Sequence, residues 1–218
     1  MSKGVFITFE GSEGCGKTTQ IDQLTRQLHA IGYRARTVRE PGSTPIGEEI
    51  RFTLKHSKGN AAMTPETELL LMNASRAQLV REVIRPALNA GEIVISHRFY
   101  DSTLAYQGYG RQLDLAMVRA MIDLAVGDTR PNLTIVLNIA PEIRELRHAM
   151  RQSTMPFMRD RIEEADRSFF DRVDKGFAAV AAAEPERVRA LDASGSIESV
   201  SSRIWDLVRP VLPKIGRW

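Results

Sequence analysis

The stretch that decides the fold is VFITFEGSEGCGKTT, residues 5–19. Its first part, Val5 to Phe9, is a short and nearly continuous apolar run, which predicts a strand buried on both faces. Gly11 to Thr18 then matches the pattern G-x-x-x-x-G-K-[ST] in full. The residues that follow place four apolar side chains on one helical face, namely Ile21, Leu24, Leu28 and Ile31. Strand, glycine loop and helix in this order predict a P-loop fold that binds a nucleoside triphosphate.

The loop over residues 11–19 supplies the predicted phosphate contacts. Its glycines let backbone N–H groups converge on phosphate oxygens, and the helix N-terminus adds partial positive charge. We expect Lys17 to reach the β- and γ-phosphates and Thr18 to ligate magnesium. The predicted nucleotide-binding residues are Gly11, Ser12, Glu13, Gly14, Cys15, Gly16, Lys17, Thr18 and Thr19. The pattern indicates ATP or GTP binding but leaves the acceptor open, because motors, switches and kinases share it.

Alternating strand and helix patterns continue along the chain. Further strands are predicted at residues 34–38, 93–96, 133–139 and 188–191. Helices are predicted from Thr64 to Gly91 with an interruption near Pro86, from Leu115 to Val126, from Pro141 onward, through an Ala-rich stretch ending at Ala183, and around Ile197, Val200, Ile204 and Leu207. This alternation predicts an α/β fold, with a parallel five-stranded sheet covered by helices on both faces, in one domain over residues 1–218.

The composition narrows the class of protein. The formal charge of +3 is too small to argue for non-specific nucleic-acid binding. Arginine makes up 24 of the 30 basic residues, and its planar fork matches phosphate oxygens two at a time. Cys15 as the single cysteine excludes an internal disulfide and fits a cytoplasmic protein. The short apolar run near the N-terminus predicts neither a signal peptide nor a membrane span.

Further motifs narrow the choice of acceptor substrate. They are REPGSTPIGEEIR at residues 39–51, MNASR ending at Arg76, HRFYDSTLAYQG at residues 97–108 and DRIEEADRSFFDRV at residues 160–173. Together with the glycine loop, they resemble bacterial thymidylate kinases from about Val5 to Ala193, in the same order and at compatible spacings. The resemblance implies transfer of the γ-phosphoryl group of ATP to dTMP to give dTDP. It also implies Mg²⁺ as a cofactor and a homodimer.

The resemblance assigns residues around the acceptor phosphate and sugar. Arg51 and Arg98 match the two arginines that hold the dTMP phosphate. Two guanidinium groups that bind one phosphate dianion can fix it in the orientation needed for in-line attack. Glu13 matches an acid near the acceptor sugar and magnesium, and Glu40 matches a position near the sugar. Glu13 and Thr18 are therefore the predicted metal ligands.

The resemblance also assigns the base pocket. Arg76 matches the arginine that hydrogen-bonds the thymine carbonyl, and Tyr106 matches the tyrosine that crowds out a ribose 2′-OH. Thr103 and Gln107 match residues around the base, and in a helix their spacing would place them on one face. Met72 stands where the family carries a stacking phenylalanine, and its thioether can replace the ring against thymine.

A lid that closes over ATP is implied at about residues 144–163. Family members without a basic residue in the variable part of the phosphate loop supply arginines from this lid, and the loop here carries none. The candidates are Arg147, Arg151, Arg159 and Arg161. The predicted catalytic residues are Lys17, Arg98, Arg159, Arg161 and Glu13.

His97 is a departure from the family, which carries an aspartate there beside the magnesium site. An imidazole cannot supply that negative charge, and a protonated one would repel the metal. Two alternatives therefore stay open at this point. Met72 allows dUMP or another pyrimidine monophosphate as acceptor, and His97 allows a catalytically impaired, nucleotide-binding regulatory homologue.

Overall fold

Five parallel strands form the centre of the protein. The computed structural model describes residues 4–57, 59–140, 142–144, 146–147, 162 and 166–213. The strands are Val5–Glu10 (β1), Ala35–Arg39 (β2), Ile93–His97 (β3), Leu133–Asn138 (β4) and Val188–Asp192 (β5), in the spatial order β2-β3-β1-β4-β5. All residues of β1 are buried, as its apolar run predicts for a central strand. The predicted five-stranded parallel sheet is confirmed.

Helices cover both faces of this sheet. They are Lys17–Ala30 (α1), Pro45–Lys55 (α2), Pro65–Leu79 (α3), Arg85–Asn89 (α4), Tyr100–Thr103 (α5), Leu115–Val126 (α6), Arg167–Ala183 (α7) and Ile197–Val208 (α8). Wide π-helical turns at Val80–Ile84 and Leu104–Gly110 follow α3 and α5. One buried cluster joins the sheet to α3, α6 and α7, and the other joins it to α1 and α8. None of the helices described is long and apolar enough to cross a membrane.

The interruption predicted near Pro86 is confirmed. The helical segment runs from Pro65 to Asn89, and its π turn at Val80–Ile84 comes just before the proline. Proline has no N–H to donate, and its ring crowds the carbonyl one turn earlier. The wide turn accommodates both effects without ending the segment.

Three details differ from the sequence predictions. Helix α2 was not predicted, although Thr44 caps it by accepting a hydrogen bond from the Gly47 N–H at 3.0 Å and Pro45 begins it. Ile31 lies just beyond α1, where Gly32 turns the chain with φ of 93°, and it is 45% exposed. Ile197 at the start of α8 is 47% exposed, because the first turn lies beyond the buried cluster.

The parallel arrangement collects polar residues at one edge of the sheet. Arg39 pairs with His97 in the β2–β3 register, and Phe9 pairs with His97 in the β1–β3 register. The glycine loop leaves this same edge directly after Glu10. Open α/β sheets bind ligands at the carboxyl ends of their strands, so the candidate site lies here.

Candidate active site

A cavity of about 740 Å³ opens at the carboxyl edge of the sheet. Most of the predicted site residues that are described line it: Glu13, Gly14, Gly16, Lys17, Thr18, Thr19, Glu40, Arg51, Met72, Arg76, Arg98, Thr103, Tyr106 and Gln107. Gly11, Ser12 and Cys15 do not line it. Cys15 packs into the buried cluster on the α1 face, where it supports the loop from below. The donor loop and the predicted acceptor residues therefore share one cavity.

The glycine loop is shaped by close approach and by its own lysine. Gly11 has φ of 120°, and a Cβ there would lie 2.3 Å from the Leu137 carbonyl oxygen, so only glycine fits. Lys17 Nζ donates to the carbonyl oxygens of Gly11 and Ser12 at 3.0 and 2.8 Å. Burial, with the charge of Arg98, lowers the pKa of this amine. Thr18 lies exposed in the first turn of α1, beside the lysine.

Arg98 projects into the cavity from an unusual backbone. Its φ is 70°, in the left-handed region that few non-glycine residues adopt. Its Nη1 donates to Ser102 Oγ at 2.9 Å and its Nη2 to the Tyr106 hydroxyl at 3.1 Å. Burial opposes its charge, but Tyr106, Glu10 and Glu13 outweigh that effect and raise the pKa of the guanidinium. Arg98 is therefore a fixed positive charge facing the loop.

A second arginine lines the cavity from α2. Arg51 on α2 donates from Nη1 to the Pro41 carbonyl oxygen at 2.9 Å. Arg39 and Lys55 line the same cavity and were not predicted. With Lys17 and Arg98, these side chains make the cavity strongly positive, as an anionic ligand requires.

A buried ion pair also lines the cavity. Arg76 contacts Glu40 Oε2 through Nε at 2.9 Å and Nη2 at 2.7 Å, and its Nη1 donates to Asn73 at 3.0 Å. Burial raises the pKa of Glu40, although Arg76 opposes the shift. Glu40 Oε1 is buried without a hydrogen-bond partner among the described residues. An orphaned buried oxygen is costly unless a ligand completes its hydrogen bonding.

The end of α5 and the wide turn that follows it carry the remaining predicted residues. Thr103, Tyr106 and Gln107 are each at most 5% exposed and line the cavity. The segment is helical, the condition on which Thr103 and Gln107 would share a face, and Leu104–Gly110 winds as a π-helix, an arrangement common at functional sites. Met72 on α3 lines the cavity near this turn.

Comparison with known proteins decides the family. The sequence matches the thymidylate kinase family over residues 9–204. This chain belongs to the thymidylate kinase family. It is 46% identical to the thymidylate kinase of Synechococcus sp. (strain JA-3-3Ab), over 95% of this chain and 97% of that one. It is 43% identical to the enzyme of Geobacter sulfurreducens (strain ATCC 51573 / DSM 12127 / PCA), over 97% and 99%.

A solved structure agrees with this family assignment. The crystal structure of thymidylate kinase from Ehrlichia chaffeensis is 30% identical and matches with a TM-score of 0.76, covering 95% of this chain and 99% of that one. The resemblance inferred from the motifs is confirmed, and so is the P-loop kinase fold.

Sequence reasoning missed Glu10, which supports the thymidylate kinase cavity from below. Glu10 is fully buried at the end of β1, accepts from the Phe99 N–H at 2.7 Å, and accepts from the Ser102 hydroxyl at 2.5 Å. Burial, with the charge of Asp101, raises the pKa of Glu10 to about 7, although Arg98 opposes the shift. Because Ser102 also accepts from Arg98, Glu10 fixes the arginine through one intervening hydroxyl. Its position directly before Gly11 was the available signal.

His97, which departs from the family pattern, lines the cavity at the end of β3. Burial lowers the pKa of His97 to about 3, and the positive charges of Lys17 and Arg98 add to the effect. The imidazole of the substrate-free protein is therefore neutral near pH 7. In that state His97 carries no positive charge that would repel a metal.

Only part of the predicted lid lies within the described residues. Arg147 Nη1 donates to the Gly14 carbonyl oxygen at 3.0 Å, which ties this arginine to the phosphate loop. Ile162 lines the cavity. Three of the predicted lid arginines, Arg151, Arg159 and Arg161, lie outside the described residues.

Proposed function

We propose that this protein transfers the γ-phosphoryl group of ATP to dTMP, giving dTDP. The observation that carries the proposal is that the phosphate loop, Arg98, Arg51 and Arg76 all line one cavity. The relatives described above are thymidylate kinases, which supports this acceptor and supports neither alternative function.

Phosphoryl transfer needs positioning and positive charge more than covalent chemistry. We propose that Lys17 leaves the loop carbonyls to contact the β- and γ-phosphates of ATP. Arg98 and Arg51 then hold the dTMP phosphate, so that one of its oxygens attacks the γ-phosphorus in line while the bond to the β–γ bridging oxygen breaks and ADP leaves. The lowered pKa of Lys17 rises again when phosphate charge enters the cavity, which favours the charged amine in the complex.

The donor set fits Mg²⁺. The metal prefers oxygen ligands and is usually held by one or two protein groups together with substrate phosphates and water. The Thr18 hydroxyl and the Glu13 carboxylate both line the cavity, and we propose them as the protein ligands. The described residues contain no cluster of three or more His, Cys, Asp or Glu that would form an all-protein cage. When bound, Mg²⁺ neutralises charge on the phosphate oxygens of ATP.

The remaining acceptor contacts follow from the same arrangement. We propose that Arg76 donates to the thymine carbonyl, with Thr103 and Gln107 around the base and Met72 against its face. Tyr106 blocks the space of a ribose 2′-OH, and the orphaned Glu40 Oε1 accepts a hydrogen bond from the sugar.

A coupled assay of ADP release with ATP and Mg²⁺ tests the acceptor. We expect dTMP to have a higher kcat/KM than dUMP by roughly 10–200-fold, because one methyl group in an apolar pocket contributes about 1–3 kcal/mol. Equal values for the two nucleotides would exclude dTMP selectivity and favour a general pyrimidine monophosphate kinase. ATP binding without turnover of any monophosphate would support the regulatory alternative.

His97→Asp tests whether position 97 acts on the metal side. We expect higher turnover and a lower Mg²⁺ concentration at half-maximal rate, because a carboxylate accepts hydrogen bonds from metal-bound water better than a neutral imidazole does. We also expect kcat/KM of the wild type, which reports ionisations of the free enzyme, to show no step due to His97 between about pH 5 and 8, given its pKa of about 3 there. Unchanged rate and Mg²⁺ dependence in His97→Asp would remove this position from catalysis.

Several proposals extend beyond the described residues. We propose that residues 144–163 form a lid, supported by the Arg147 contact with the phosphate loop, and that Arg159 and Arg161 stabilise the negative charge on the transferred phosphoryl group.

We also propose a homodimer, supported by exposed apolar side chains on the adjacent helices α3 and α6, namely Leu70, Met117 and Leu124. A single domain over residues 1–218 and a cytoplasmic location stay predictions.

A further inference from the structure

A buried ion pair lies behind the base side of the cavity. Glu68, in the first turn of α3, is 0% exposed. Arg111 contacts it through Nη2 to Oε2 at 3.1 Å and through Nε to Oε1 at 3.3 Å. Gln107 Nε2 donates to the same Oε1 at 2.7 Å. A carboxylate paired with a guanidinium only accepts hydrogen bonds, so the carboxamide of Gln107 has to turn its NH₂ group toward Glu68.

This constraint determines which atom Gln107 offers to a ligand. Gln107 lines the cavity, and its Oε1 accepts no hydrogen bond within the described part of the chain. Its carbonyl oxygen is therefore the free acceptor of the group. Arg76 offers the opposite polarity, because its contacts with Glu40 and Asn73 leave one N–H on each terminal nitrogen. Gln107 can therefore offer an acceptor, and Arg76 a donor, to the edge of a bound base.

We propose that Glu68, held by Arg111, is a positioning residue that selects 4-oxo pyrimidines by fixing the orientation of the Gln107 carboxamide. Thymine and uracil carry a ring N–H next to a carbonyl oxygen, which match the Gln107 acceptor and the Arg76 donor. Cytosine carries a ring lone pair next to an amino group and opposes both. The inference rests on the proposed function, because it requires a pyrimidine nucleotide as the acceptor in this cavity.

This selection is separate from recognition of the thymine methyl group. Uracil presents the same hydrogen-bonding edge as thymine, so Glu68 does not distinguish dUMP from dTMP. Discrimination between those two depends on apolar contact, for which Met72 is the candidate. Two different parts of the cavity therefore select the class of base and distinguish thymine from uracil.

The test is the ratio of kcat/KM for dTMP to that for dCMP in Glu68→Gln. The substituted carboxamide can donate as well as accept, so the Gln107 amide can rotate and offer its NH₂ group to cytosine. We expect the ratio to fall roughly ten- to hundredfold, with kcat/KM for dCMP rising in absolute value. Loss of stability alone would lower both values and would not create activity toward dCMP.

Asp101→Asn is the matched control. Asp101 is also 0% exposed and paired with an arginine, through Arg187 Nη1 at 2.8 Å, but it contacts neither Gln107 nor Arg76. We expect Asp101→Asn to lower the thermal midpoint and leave the dTMP to dCMP ratio unchanged. An unchanged ratio in Glu68→Gln, or an equal loss for both nucleotides, overturns the proposal.

A second variant covers the case in which Glu68→Gln does not fold. In Arg111→Gln the buried acid loses its cation, and burial then favours its protonated form, whose O–H can donate to a rotated Gln107 amide. The same fall in the ratio is expected, and an unchanged ratio again overturns the proposal. Wild-type protein that does not phosphorylate dTMP would instead overturn the proposed function, which keeps the two failures distinguishable.

Discussion

Arg98→Ala is expected to lower kcat/KM for dTMP by about 10²–10³-fold, the cost of removing one fixed donor from a charged transition state. ATP affinity should stay near its wild-type value, because the phosphate loop and Lys17 are untouched. The fold should tolerate the change, since Glu10 has a pKa of about 7 and can take a proton when its cationic neighbour is lost. Steady-state kinetics, ATP titration and a thermal melt measure the three quantities.

Arg85→Ala is the control for Arg98→Ala. Arg85 is also anchored by side-chain hydrogen bonds, to Thr129 at 2.8 Å and Asp128 at 2.6 Å, but it does not line the cavity. It should lose some stability and retain activity. If Arg98→Ala lost ATP affinity while dTMP affinity was unchanged, the division of the cavity into donor and acceptor sides would be wrong.

Lys17→Met is expected to have an effect of similar size on turnover, about 10²–10³-fold, together with weaker ATP binding. Methionine keeps most of the side-chain length but removes the charge needed at the γ-phosphate. It also removes the donor that holds the Gly11 and Ser12 carbonyl oxygens in the substrate-free loop. Both losses act on the donor half of the reaction, so binding of dTMP alone should be nearly unchanged.

The control for Lys17→Met is Lys175→Met. Lys175 is an exposed residue of α7 outside the active-site cavity, and its loss should change neither ATP binding nor turnover. Wild-type turnover in Lys17→Met would mean that the phosphate loop does not act on the transferred group. Isothermal titration with ATP and single-turnover kinetics separate the binding effect from the chemical effect.

Sequence patterns predicted the sheet well because its central strands are apolar throughout. The residues of β1 and most of β3 are buried, and strands buried on both faces have nearly continuous apolar sequences that are easy to recognise. Helix α2 shows the limit of that reasoning. It buries only Gly47 and Leu54, so its apolar residues do not record burial, although Ile46, Ile50 and Leu54 recur at every fourth position. That spacing and the Thr44-Pro45 pair were the available signals.

The residues of the candidate site that belong to a short motif could be predicted from the sequence. Those that depend on contacts between residues far apart in the chain could not. The phosphate loop and Arg98 could be assigned from short patterns. The role of Glu10 depends on its hydrogen bond with the N–H of Phe99, which is 89 positions later in the chain. Glu68 looks like an ordinary acid in a first helical turn, and only the fold shows that Arg111 and Gln107 enclose it. No local pattern encodes such pairs.

The anchoring of Glu10 has a consequence for how the two substrates are aligned. Its backbone leads directly into the loop that binds the donor, while its carboxylate grips the Phe99 N–H and the Ser102 hydroxyl on the acceptor side. If the substrates bind as proposed, we expect the spacing between the attacking oxygen and the γ-phosphorus to depend partly on the length of this glutamate side chain. Shortening that side chain by a single methylene would move α5, which carries Ser102, relative to the phosphate loop. Displacement of a reacting group by about 1 Å can lower the rate about 10²-fold. We therefore expect the length of the Glu10 side chain to help set the distance over which the phosphoryl group is transferred.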